Sequence, residues 1–242
     1  MFSLIYQMPH SFIGTNFIKA KKMKKILNTL STHPSALLLF VQLASIIIHP
    51  SLESVKYNQA IFSCFNVAAL SLAVWVVNRS PAMNWVAWVL AVPAISLTLL
   101  YVLSGNVHYF MWAQLLESAM YFYTAAGLVM YMFNDDVLTR DELFAAAATF
   151  TVLAWGFALI YSVCQYIYPG SITGSTNPGE PRTWLDLMFL SFTILSSTGY
   201  GDVMVVHPVA KIVSIFQMFI GLMYMALIVS RLVSLTTAAR KE

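Results

Sequence analysis

Long apolar runs separated by short polar segments dominate this 242-residue chain, and they constrain its fold more than any other feature. A helix that crosses a bilayer needs about 20 mostly apolar residues. Six candidate segments meet or approach that length. The first, "SALLLFVQLASIIIH" (35–49), lies between Pro34 and Pro50 and is the shortest. The others cover roughly 59–77, 83–103 with Pro93 inside it, 110–133, 143–168 and 209–233. Trp85, Trp88, Trp112 and Trp184 fall near the expected ends, where amphipathic rings anchor at a membrane interface.

Composition supports a lipid solvent. Hydrophobic residues make up 59% of the chain and charged residues 10%, against roughly 25% charged in soluble domains. So short a chain has too little interior to bury that much apolar surface. The expected class is an all-α membrane protein with six transmembrane helices, four plus a two-helix module, in the cell membrane. Its polar lysine cluster (Lys19, Lys21, Lys22, Lys24, Lys25), Arg79, Arg231, Arg240 and Lys241 all fall on one side of a six-span arrangement, which sets both termini in the cytoplasm. The cluster follows apolar residues instead of preceding them, unlike a cleaved signal, and Met23 is a second candidate start. Cys64 and Cys164 sit in apolar runs and read as packed thiols, not as a disulfide or metal pair. No internal repeat is evident.

The expected organisation is a basic segment over 1–34, a four-helix region over 35–133, an acidic linker over 134–142, a C-terminal module over 143–234 and a short tail over 235–242. Within the module, "GSITGSTNPGEPRT" reads as a turn region. The thirteen residues of "WLDLMFLSFTILS" that follow are too few to span and read as a re-entrant half-helix over 183–196. Thr183 and Asp186 have the spacing of a capping box at its start.

After the half-helix comes "SSTGYGDV". Irregular backbone at membrane depth persists only where protein buries it or where it lines a watery path. Carbonyls that serve as ligands to a cation meet that requirement. Aligning successive carbonyls on one side demands alternating backbone conformations, which Gly199 and Gly201 adopt at low cost. The half-helix presents the negative end of its dipole to the membrane centre, and Asp202 adds negative charge at the outer mouth. One loop cannot encircle an ion, so four copies around an axis are expected.

This stretch resembles the potassium-channel signature, usually Thr-Thr-Val-Gly-Tyr-Gly-Asp, and the order helix, half-helix, loop, helix resembles that family's pore module over about 143–233. The resemblance implies a filter over 197–202, in which the carbonyls of Ser197, Thr198, Gly199 and Tyr200 and the Ser197 hydroxyl hold K+, with Gly201 at the outer mouth. Thr193, Ser196, Asp202 and Asp186 would support it, and an inner helix over 209–233 would line the path. The implied function is passive potassium conduction by a homotetramer in lipid, without catalysis, organic cofactor or nucleic acid. Three departures stand out: Ser196 and Ser197 replace threonines, Thr198 replaces Val or Ile, and Phe189 and Leu190 occupy positions where some relatives carry tryptophans that brace the tyrosine. These point to a more compliant filter, which leaves a weakly selective cation channel as the alternative. A non-conducting subunit with a channel-like fold is the other.

Outside the loop, the fourth segment carries no arginine, so a voltage sensor is not expected. Glu117, with Gln114 and Tyr121 on its face, is a candidate sensor or an acid hydrogen-bonded to Tyr121 or Asn66. His207, near the outer mouth, is a candidate pH sensor or a solvated side chain. Gly221, in mid-span, is a candidate hinge or a close-packing position. Asp135, Asp136, Asp141 and Glu142 lack the ligand spacing of a calcium loop and read as a solvated linker.

Overall fold

The computed structural model describes residues 34–52, 69, 71, 72, 75, 84–134, 140–175 and 177–238. Among the described residues, six helices and two short strands follow in order: α1 (Pro34–Leu52), α2 (Asn84–Ser104), α3 (Val107–Met132), α4 (Arg140–Ile167), β1 (Ile172–Gly174), α5 (Trp184–Leu195), β2 (Val203–Val205) and α6 (Pro208–Ala238). The lysine cluster, most of the segment expected over 59–77, Cys64, Asn66, Arg79, Asp135, Asp136, Arg240 and Lys241 lie outside the described residues.

Among the described residues, three helical segments are long and apolar enough to cross a membrane: Trp85–Ser104, Asp141–Ile167 and Pro208–Arg231. In α1 the apolar stretch is shorter, Ser35–Ile48, although the helix runs through Pro50 and begins on Pro34, where a missing N–H costs nothing. At 26 residues, α3 is long enough to span but is not among the three. Gln114, Glu117, Ser118 and Thr124 dilute its apolar character, and all four are buried between its neighbours.

The hub is α4, which packs against α1, α3, α5 and α6. Its sequence explains why. Ala145, Ala148, Ala154 and Ala158 are fully buried, and such small side chains let several helix backbones approach one axis, the packing that holds helices together in lipid. Trp155 and Tyr161 fill the spaces between them. A buried bond from Thr151 Oγ1 to Gln42 Oε1 (2.7 Å) fixes α1 on this hub, and Ser118 Oγ donates to the Gly156 carbonyl (2.9 Å) to fix α3.

Three expectations are corrected. The turn region after α4 contains β1, paired antiparallel with β2, with Ile172 opposite Val205 and Gly174 opposite Val203. Strands of three residues are too short to show a period, so only the closure of the loop reveals them. The acidic linker is shorter than expected, because α4 starts at Arg140. Asp141 and Glu142 therefore occupy a first helical turn and are 8% and 5% exposed, not solvated. Asp141 accepts from Ser35 and Tyr131, while Glu142 pairs with Arg231 at 3.4 Å. Trp184 also departs from the interface-anchor expectation: it is half-buried and meets Trp155 edge-on at 5.6 Å, whereas Trp85, Trp88 and Trp112 are exposed.

Candidate functional site

The candidate site is the loop 196–202, placed by α5 below it and by the strand pair above it. At the start of α5, Thr183 Oγ1 accepts from the Asp186 N–H (3.2 Å) and the Asp186 carboxylate accepts from the Thr183 N–H (3.1 Å), so the capping box is formed. At the other end, the Ser196 N–H still reaches the Phe192 carbonyl (3.0 Å), and the helix stops there.

Beyond Ser196 the backbone alternates. Ser197 has φ +57°, Gly199 φ +56° and Gly201 φ +81°, while Thr198 and Tyr200 keep negative φ. The two glycines were legible in the sequence; Ser197 was not, since a left-handed residue with a Cβ costs roughly 1–2 kcal/mol and is not anticipated there. The N–H groups of Thr198 (3.0 Å) and Gly199 (3.4 Å) converge on the carbonyl of Thr193. In a trans peptide the C=O points opposite to the N–H. The Ser197 and Thr198 carbonyls, which share those two peptides, therefore point away from α5 toward the open side of the loop.

Side chains reinforce this orientation. Thr198 Oγ1 donates to the Thr193 carbonyl (3.2 Å) and lies 3.0 Å from Ser196 Oγ, which in turn donates to the Phe192 carbonyl (2.7 Å). The Thr198 side chain thus faces α5, and its hydroxyl makes a bond there that Val or Ile cannot make. Thr193 is the acceptor on which this web converges. Tyr200 is exposed and meets Phe189 edge to face at 5.6 Å, while Leu190 is buried in the core. Asp202 bonds through its carboxylate to Ser175 Oγ, and its carbonyl accepts from the Ser175 N–H (2.9 Å), tying the upper end of the loop to β1.

Below the loop is a cavity of about 340 Å³ lined by Thr193, Ile194, Ser197, Gly199, Met218, Phe219 and Leu222. Ser197 joins the loop to the apolar face of α6 there. Gly221 lies against the end of α5: a Cβ on it would stand 2.2 Å from the Leu195 carbonyl oxygen. Close packing accounts for this glycine, and α6 runs unbroken through it.

The other candidates lie apart from the loop. Glu117 is buried and accepts from Thr98 of α2 (2.9 Å), not from Tyr121, whose ring instead meets Trp155. His207 stacks on Tyr168 at 4.2 Å and accepts from the Val209 N–H through Nδ1 (3.3 Å), so it caps α6. Among the described residues, no group of three His, Cys, Asp or Glu side chains is placed to hold a metal.

The sequence reading missed a buried set behind the loop: Tyr161, Ser191, Ser214 and Gln217. Each is a polar residue in an apolar stretch, a signal that was present but ambiguous until the helices were packed.

A short apolar helix, a loop of alternating backbone and two flanking helices long and apolar enough to cross a membrane make up the module. Residues 143–238 match a family model described as ion channel. No curated protein and no solved structure gives a significant match to the chain.

Proposed function

We propose that the chain is one subunit of a homotetrameric, potassium-selective channel of the cell membrane that conducts passively and does not sense voltage. One observation carries this reading: positive φ at Ser197, Gly199 and Gly201 alternates with negative φ at Thr198 and Tyr200, directly after a capped half-helix. That alternation turns carbonyls to one side, where they replace the water around a dehydrated cation. The Ser197, Thr198, Gly199 and Tyr200 carbonyls and the Ser197 hydroxyl are the proposed K+ ligands, with Gly201 at the mouth. A fourfold axis supplies the remaining ligands, and the exposed apolar faces of α6 and α2 meet neighbouring subunits and lipid. The six spans place both termini in the cytoplasm. No arginine falls in α3, so this helix carries no gating charge.

A weakly selective cation channel is the second reading. Tyr200 rests on the phenyl edge of Phe189, a contact that does not fix the ring as a hydrogen bond would. Purified protein in potassium-loaded liposomes separates the two. A barium-sensitive K+ efflux with strong preference over Na+ is expected. Equal K+ and Na+ fluxes select the second reading, and absence of both from assembled tetramers refutes conduction.

A further inference from the structure

Gln217, on α6, lies outside the loop yet spans three helices. It is fully buried. Its carboxamide N–H2 donates to the Ser191 carbonyl (2.9 Å) and to Ser191 Oγ (2.7 Å), so both amide protons are used on one residue of the pore helix. Its Oε1 accepts from the Tyr161 hydroxyl of α4 (2.7 Å). Ser191 Oγ donates onward to the Ala154 carbonyl of α4 (2.7 Å), and the Tyr161 oxygen lies 3.0 Å from Ser214 Oγ of α6. Every carboxamide atom able to bond is therefore engaged at a short distance. A satisfied network in an apolar surrounding is rigid, because each bond lost there leaves a desolvated group behind.

The position of Ser191 gives this rigidity a specific use. Two residues further along α5 is Thr193, whose carbonyl collects the N–H groups of Thr198 and Gly199 and the Thr198 hydroxyl. A rotation or slide of α5 moves that acceptor and, with it, the two peptides whose carbonyls face the ion path. Four residues on from Gln217, Gly221 abuts the Leu195 carbonyl and blocks a slide at the lower end of the same helix. Phe189 and Leu190 offer no hydrogen bond, so Ser191 is the side chain that holds the pore helix at this depth. Gln217 engages that same residue from the neighbouring helix.

We infer that Gln217 is a positioning residue of the filter, holding the pore helix through Ser191 so that the Thr193 carbonyl stays in register with the Thr198 and Gly199 amides. The inference rests on the channel reading for its effect on ions, but its structural content is measurable without flux. Gln217→Leu keeps much of the side-chain volume and removes the bonds. The full-length tetramer is compared with wild type by hydrogen exchange across 193–203 and by the K+ to Na+ permeability ratio in liposomes. Faster exchange at Thr198 and Gly199 is expected, with a permeability ratio lowered roughly threefold or more, the effect of losing one net hydrogen bond. Should Gln217→Leu fail to assemble, Ser191→Ala removes the hydroxyl half of the link and the bond to Ala154 while the bond to the Ser191 carbonyl stays, so smaller changes in the same two readouts are expected.

A lower melting temperature with unchanged filter exchange and unchanged ratio assigns Gln217 a purely structural role and overturns the inference. If wild-type protein itself does not prefer K+, the channel reading fails, and the exchange measurement still decides whether Gln217 positions the loop.

Discussion

At Gly199 the loop's demand is conformational, not steric. The residue sits at φ +56°, and a Cβ there would meet nothing within 4 Å. Gly199→Ala thus costs roughly 1–2 kcal/mol of backbone strain, small beside the packing that holds the chain, but concentrated on the peptide between Gly199 and Tyr200. The expected outcome is assembled protein of normal size on gel filtration with K+ flux abolished in liposomes. Normal conduction would show that carbonyl alignment does not depend on this glycine. Ser197 already bears a comparable strain at φ +57°. A filter reading gives that strain a use, since the same residue places both a carbonyl and a hydroxyl beside the path.

Between elements, the important contact is the one α6 makes with the end of α5. Gly221 was a position where hinge and packing were both open, and the 2.2 Å approach of a hypothetical Cβ to the Leu195 carbonyl favours packing. The obstructing atom is backbone at the close of a helix, so it cannot swing aside as a side chain would. Gly221→Ala is expected to push the helices apart and to lower stability by about 1–3 kcal/mol, as overpacked sites do. Thermal unfolding of the purified protein checks this. A hinge role without a packing role would leave stability unchanged and alter only the open fraction.

Across the whole molecule, Arg231 near the end of α6 joins parts that are far apart in sequence. Its guanidinium pairs with Glu142 in the first turn of α4 at 3.4 Å and stands 5.0 Å from the ring centroid of Phe133, just past α3. Both charged side chains are mostly buried, 12% and 6% exposed, so the pair keeps more of its strength than an exposed one. A double-mutant cycle of Glu142→Gln and Arg231→Met is expected to give a coupling energy of about 1 kcal/mol or more, read from denaturation midpoints. Additive effects would mean that the pair does not tie α6 to α4. Together with the Tyr224 hydroxyl, which donates to the Ala146 carbonyl, this contact secures the lower half of α6 while Gln217 secures the upper half.

The ion-channel class and the module's order of elements were legible in the residues because they follow from local physics. Apolar run length marks the spans, Thr183 and Asp186 mark a helix start, and Gly199 and Gly201 mark backbone that other residues adopt only at a cost. Contacts between distant segments were not legible. Glu117 offered several partners on paper, and only the packing of α2 against α3 selected Thr98. Asp141 and Glu142 read as solvated charges until Ser35, Tyr131 and Arg231 came into reach. Tyr161, Ser191 and Gln217 lie up to 56 positions apart. Their bonding, and the strand pair that closes the loop, exist only when the helices meet. Sequence determined which backbone conformations were affordable; tertiary structure decided which polar groups would satisfy one another, because in an apolar interior each must find its partner within hydrogen-bond distance.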